Sequence, residues 1–234
     1  MVQGTATLGL IMNIKWLLIL GLMTLGACRP AAFAVETRVL PGAELYIRIL
    51  KTTQTQAKGE LQLWKRGAGG QYDLDRSFDI CTWSGDLGPK LREGDGQSPE
   101  GFYFIKPSSL NPNSSYNLSF NLGFPNAYDR AHDRTGSFLM VHGECVSIGC
   151  YAMTNDGIEE IYADVEAAFA GGQSFIRVHI FPFEMTAENL EAQRDNPNHA
   201  FWKNLKTGWD WFEREKTPPN VTVRNKAYIF NADG

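Results

Sequence analysis

Paired metal-binding motifs are missing from this chain. Its four cysteines, Cys28, Cys81, Cys145 and Cys150, form no Cys-x-x-Cys, and its four histidines form no His-x-x-x-His. The usual spacing of a zinc site is therefore absent, and no fourth ligand stands out beside His142, Cys145 and Cys150. A basic stripe is missing too. Lys and Arg number 22 against 26 Asp and Glu, for a net charge of -4, and they are scattered, which argues against nucleic acid as a partner. No repeat, low-complexity tract or linker divides the sequence. The N-terminal apolar run Trp16 to Leu25 is far short of the ~20 residues that a membrane-spanning helix needs.

That run follows Lys15 and reads as the apolar region of an export signal. Two processing sites follow it. Ala32-Phe33-Ala34 offers a small-x-small pattern before Val35, whereas Leu25-Gly26-Ala27-Cys28 resembles a lipoprotein box with Cys28 as the lipidated residue. The first is preferred, which makes residues 1–34 a signal peptide and 35–234 a single exported domain. A lipid anchor at Cys28 is the one membrane attachment this sequence suggests. A mature chain of about 200 residues is ample for one full hydrophobic core.

Leu45, Ile47 and Ile49 alternate with polar or aromatic neighbours, and Leu61, Leu63 and the stretch Tyr72 to Ile80 continue the alternation, which predicts an opening β-meander. From Ser84 to Gly101 the composition shifts to Gly, Pro, Asp and Ser, the chemistry of a long loop that is either a binding element or a plain surface connection. Gly101 to Lys106 and Tyr116 to Leu122 read as strands joined by a turn over Pro107 to Ser115. The segment Gly123 to His132 mixes aromatics, amide and charge, so it is expected to wall a cleft, with Tyr128 and Arg130 as contacts.

Ser137 to Val141 should deliver His142 from the end of a central strand. Beyond it, Asp156 and Glu159 have the form of a capping box, and apolar residues recur at helical spacing until Gly171-Gly172. Gln173 to Phe183 reads as a strand, with His179 facing outward or into the core. Thr186 to Arg194 and His199 to Glu215 read as helices, the second interrupted at Gly208. Its aromatic stripe is expected to pack on the core rather than bind glycan. Val221 to Val223 and Ala227 to Phe230 form a closing hairpin across Asn225-Lys226.

The chemistry concentrates in Met140-Val141-His142-Gly143-Glu144-Cys145-Val146-Ser147-Ile148-Gly149-Cys150. A thiol attacks a carbonyl as thiolate, and an imidazole near neutral pH is suited to take its proton. Cys150 is thus a candidate nucleophile and His142 its base, while backbone N–H groups at Gly143 and Gly149 could face a developing oxyanion. A buried structural thiol, a metal site and a Cys145–Cys150 disulfide are the competing readings.

His142-Gly143 followed by Ser147-Ile148-Gly149-Cys150 resembles the active-site signature of the L,D-transpeptidases with a YkuD-type catalytic domain. Only Glu144-Cys145-Val146 separates the two motifs, and Ala152 stands where the family usually has Arg. Both departures are similar to the YafK branch of that family. So are Ser84-Gly85, Gly88-Pro89-Lys90, Ser98-Pro99-Glu100-Gly101-Phe102 and Gly123 through Asp129. The resemblance implies a mainly β, mixed β-sandwich catalytic domain with added C-terminal helices. It also implies a periplasmic cysteine enzyme that needs no cofactor or metal and acts on diaminopimelate in peptidoglycan stem peptides. The product is either a cross-link or, as this branch favours, hydrolytic release of a peptidoglycan-linked outer-membrane lipoprotein. With Ala152 in place of Arg, a carboxylate of the substrate would need Arg130, Lys90 or another cation, and Ser147 is a further candidate contact. The alternative from another class is a non-catalytic peptidoglycan-binding module.

Removing the leader after Ala34 leaves Cys81, Cys145 and Cys150, an odd number in an oxidising compartment. If Cys150 stays reduced, Cys81 and Cys145 are the natural pair. Three free thiols remain the alternative.

Overall fold

The computed structural model describes Met1, residues 44–55 and residues 57–231. Residues 44–231 fall within one compact unit, Glu36–Gly234. The apolar run Trp16 to Leu25 and the processing positions Cys28 and Ala34 lie outside the described residues.

The opening alternation does form a meander: β1 (Leu45–Leu50), β2 (Glu60–Arg66) and β3 (Tyr72–Asp79) pair antiparallel in sequence. With β4 (Gly101–Ile105) and the late strand β9 (Ile176–Phe181) they make a five-stranded sheet in the order β3-β2-β1-β9-β4. Its β1–β9 pair is parallel. A second sheet, β5-β6-β7-β8, consists of β5 (Leu110–Ser114), β6 (Asn117–Asn121), β7 (Met140–His142) and β8 (Tyr151–Ala152). The hairpin β10 (Val221–Arg224) and β11 (Ala227–Phe230) stands apart. Among the described residues four α-helices complete the fold: α1 (Ala127–Ala131), α2 (Asn155–Ala170), α3 (Ala187–Ala192) and α4 (His199–Glu215).

Strand alternation separates two main cores, beside a small third cluster of Tyr46, Trp64, Tyr72 and Phe212. Leu45, Ile47 and Ile49 of β1 join Phe120, Val141, Tyr151 and the apolar face of α2 in a core that draws on both sheets. Leu50 and Phe181 look the other way, into a second core built on Trp202, Leu205 and Trp209 of α4. Both faces of β1 are covered, so all six of its residues are buried. The aromatic stripe of α4 is therefore packing surface, and each such side chain removed from water contributes roughly 1.5–3 kcal/mol.

Three local expectations are corrected. The segment after β4 is not only a turn: a single 3₁₀ turn, Pro107–Ser109, leads into β5. Pro112 is tolerated there because β5 is an edge strand, and its pairing with β6 is interrupted between Asn111 and Ser114. The cap of α2 is Thr154, whose side chain accepts from the Gly157 N–H, because Thr154 is extended while Asp156 already lies inside the helix. Nor does Gly208 break α4. A Cβ there would come within 2.6 Å of Phe102 and 2.5 Å of Phe230, so the glycine permits close approach of the helix to the sheet and hairpin.

Candidate active site

β7 and β8 are parallel neighbours, with Val141 opposite Tyr151 and His142 opposite Ala152. The chain leaves β7 at His142, runs through 143–150 and enters β8 directly after Cys150. A parallel pair normally needs a longer crossover, commonly a helix. Here the short loop returns Cys150 to the strand that carries His142. Its strained turn is visible in the positive φ of Glu144 (68°) and Cys145 (48°).

That turn is tied down covalently. Cys81, just after β3, and Cys145 form a disulfide with Cα atoms 5.1 Å apart, leaving Cys150 as the free thiol among the described residues. The Ser84–Gly101 loop braces the other side. Ser98 Oγ and Ser147 Oγ both donate to the Cys150 carbonyl, at 3.0 and 2.8 Å, and Tyr151 OH donates to Pro99 O at 2.7 Å. The loop itself is fixed by Lys51, fully buried, which donates to the carbonyls of Asp86 and Ser98 and pairs with Glu100 at 3.2 Å. Trp202 of α4 donates to the second Glu100 oxygen at 2.8 Å. Burial pushes the Lys51 ammonium below its ordinary range, and Glu100 opposes that in part.

Cys150 and His142 line one cavity of about 540 Å³, together with Ser119, Tyr116, Phe138, Met140, Ser147 and Ile148. Cys150 Sγ accepts from the Met140 N–H at 3.4 Å and lies 3.7 Å from Phe138 O. His142 Nδ1 is 2.6 Å from Gly143 O, so the proton sits on Nδ1 and the lone pair on Nε2. The Tyr116 ring packs 4.8 Å from the imidazole. Burial lowers the His142 pKa, partly offset by the Gly143 carbonyl. Burial raises that of Cys150, partly offset by the Met140 amide and the Lys90 charge. Both shifts favour the neutral forms, thiol and imidazole, over the charged ones.

Several expected contacts fall elsewhere. The Gly143 N–H donates to Tyr116 O and the Gly149 N–H to Ser147 Oγ, so neither amide is open to an oxyanion. Ser147 lines the cavity, and its hydroxyl accepts from the Gly149 N–H and donates to the Cys150 carbonyl, which fixes the loop. Tyr128 is 5% exposed and its ring stacks on Tyr228 at 4.3 Å, in the second core. Arg130, exposed on the short helix α1, donates to Pro125 O. Lys90 is buried against Asp95 at 2.5 Å. Burial alone would raise the Asp95 pKa, but the Arg92 amide, the Lys90 ammonium and neighbouring amides hold it down to about 2. None of these three residues lines the cavity. The buried polar groups at 123–132 are hydrogen-bonded to one another and to Tyr103, and the segment does not line this cavity.

Ser119 was not anticipated. It sits directly opposite His142 across the β6–β7 pair, and its buried hydroxyl has no partner. The polar alternation Asn117, Ser119, Asn121 was the available signal. Phe138 (76% exposed) and Ile148 (91%) give the mouth an apolar rim.

Residues 47–180 match the YkuD family model, described as the L,D-transpeptidase catalytic domain. The chain is 48% identical over 190 residues to "Putative L,D-transpeptidase YafK" of Escherichia coli K12 and to the same-named protein of strain O157:H7. Each match covers 81% of this chain and 75% of the relative. Among solved structures, the helical cell shape determining protein Pgp2 of Campylobacter jejuni is similar at 18% identity and a TM-score of 0.44, over 79% of this chain and 77% of that one.

Proposed function

The chain belongs to the YkuD L,D-transpeptidase catalytic-domain family, whose enzymes act on peptidoglycan, and on that premise we propose that it is a cysteine acyl-transfer enzyme that hydrolyses amides of diaminopimelate. The supporting observation is that Cys150 and His142 line one cavity, with Nδ1 held by the Gly143 carbonyl so that Nε2 is the free base. In the proposed reaction, Sγ adds to the amide carbon as its proton passes to Nε2. The C–N bond then breaks and the amine leaves with that proton, which gives a thioester on Cys150. Water next gives a proton to Nε2 and adds to the thioester carbon. The S–C bond breaks, the thiol takes the proton back, and a free carboxyl group is left. The Cys150 N–H is our choice of oxyanion donor, because the amides of Gly143 and Gly149 are engaged.

Water is favoured as acceptor because the shortened His-to-Cys segment leaves Glu144-Cys145-Val146 where the family has a longer acceptor-side loop. The natural substrate class is a lipoprotein joined to the stem peptide through diaminopimelate, and the site of action is the periplasm, as the export signal read in residues 1–34 suggests. Mass spectrometry decides between hydrolysis and transfer. Purified muropeptides carrying an amide-linked peptide, incubated in ¹⁸O-water, should yield the free amine and one labelled carboxyl oxygen. Cross-linked dimers without label would overturn the hydrolytic assignment. No change with wild type, at enzyme concentrations that bind the muropeptide, would overturn the enzyme reading at this site.

A further inference from the structure

A second cavity, of about 420 Å³, shares no lining residue with the first. Phe102 and Phe104 of β4 pair in register with His179 and Arg177 of β9, and alternation puts these four side chains on one face of the sheet. Phe104 is 54% exposed and Phe175 36%, with ring centroids 6.0 Å apart. The Arg177 guanidinium lies 4.9 Å from the Phe175 ring and the Lys106 ammonium 5.6 Å from that of Phe104.

The buried cations of this molecule are neutralised by contact. Arg48, Lys51, Lys90 and Arg134 each meet a carboxylate. Arg177 and Lys106 meet none among the described residues, and the polar partner of Arg177 is a neutral amide, Asn220 Oδ1 at 2.7 Å. His179 lines the same cavity, 2% exposed, with Nδ1 unpartnered. Two cations without an ion-pair contact, Arg177 feeling Glu44 only at longer range, beside two exposed rings suit a ligand that brings an anion and a flat apolar face together. An extended peptide fits poorly. The outer edge of β4 is already occupied at Phe102, whose N–H meets Tyr228 OH and whose carbonyl accepts from Asn126, so strand addition is blocked there.

We infer that this cavity binds an acidic sugar residue, its carboxylate on Arg177 and Lys106 and its ring on Phe104 and Phe175. The choice of sugar rests on the peptidoglycan assignment: glycan strands stripped of their stem peptides expose a free carboxylate on each lactyl ether. The cavity would then hold the enzyme on the glycan while Cys150 works on peptides.

Binding of such stripped strands to the Cys150→Ala protein, measured by isothermal titration, tests this without needing turnover. Saturable binding is expected, weakened roughly tenfold or more when the strand carboxylates are amidated, and likewise in a Phe104→Ala/Lys106→Gln double variant. Both positions are exposed, and thermal melting checks that the fold is intact. With Cys150 present, the double variant should cleave a small soluble stem-peptide substrate at the wild-type rate. Absent binding, equal binding of amidated strands, an unaffected double variant, or tighter binding of free stem peptide would each overturn the inference. Loss of turnover with strand binding retained would strike the proposed chemistry alone.

Discussion

Two segments of this chain carry the same kinds of residue and have opposite roles. Gly123 to Arg134 and Met140 to Thr154 both mix glycine, aromatics, histidine and charge. In the first, every polar group of consequence is satisfied internally. Asp129, 1% exposed, accepts from Tyr103 OH, the Asn126 N–H and Arg134 Nη1 at 2.9 to 3.1 Å. Beside the second, Nε2 of His142 faces an open cavity, and Ser119, opposite His142 on β6, has a buried hydroxyl with no partner. Composition cannot separate a knot from a site. Unfilled hydrogen-bonding capacity can.

Removing one group from each segment should give opposite phenotypes. Asp129→Ala leaves Arg134, 8% exposed, as an uncompensated buried charge, and is expected to cost about 3–5 kcal/mol of stability. The fraction that stays folded should keep a normal kcat. Cys150→Ala should lower kcat by at least roughly 10³-fold while leaving the denaturant midpoint nearly unchanged. Urea unfolding and single-substrate kinetics on both proteins check this. An Asp129→Ala protein of normal stability and low kcat would move the knot into the site.

The disulfide ties the second segment to the rest of the fold, because it fastens the loop after His142 to the chain just beyond β3. Its 64-residue separation implies about 4 kcal/mol in the chain-entropy model, an upper figure where the reduced chain retains structure. A Cys81→Ala/Cys145→Ala variant should therefore unfold at markedly lower denaturant. Its kcat should also fall, since loop 143–150 loses its anchor beside His142. Undiminished kcat would show that the Ser98 and Ser147 hydrogen bonds suffice to hold Cys150.

Long periodic elements were legible in the sequence, and so was the closeness of Cys150 and His142, which line one cavity. The meander, α2, α4 and the terminal hairpin follow from alternation, helical spacing and turn residues that lie close together along the chain. What was not legible depends on distant partners. β5 hides behind Pro112 and becomes a strand through β6. The roles of Lys51 and Glu100 in bracing Cys150 need β1, the Ser84–Gly101 loop and α4 to meet at one point. Tyr128 and Arg130 were misplaced because nothing local to them reveals Tyr228 or Asp129's other partners.

The histidines sharpen the comparison through pH. His142 must be neutral to act as base, and burial lowers its pKa. On acidification kcat/KM should therefore hold down to below the ordinary imidazole value of about 6.5 before it falls. Burial raises the Cys150 pKa, so iodoacetamide alkylation of the resting enzyme should keep climbing through the ordinary thiol range. A flat, fast alkylation rate from neutral pH upward would instead reveal a preformed thiolate–imidazolium pair.

His179 supplies the smallest and cleanest contrast, because a depressed pKa away from the reactive thiol has no catalytic use and shows only in stability. Burial, with Arg177 and Arg48 nearby, holds its pKa well below the ordinary value. Glu213 pairs with Arg48, and Tyr46 and Phe102 pack on the ring, so among the described residues no carboxylate reverses that shift. In the unfolded chain the same imidazole titrates near pH 6.5. Below that value the unfolded state holds one more proton than the folded state, so stability drops as pH falls, by at most about 1.4 kcal/mol per unit. Above roughly pH 7 both states are neutral and this contribution to the slope disappears. His179→Gln should flatten the dependence of unfolding free energy on pH between about 5 and 6.5, whatever it does to absolute stability, and should leave the acidic limb of kcat/KM in place. An unchanged stability slope in that variant would mean that the buried imidazole takes up its proton in the folded protein after all.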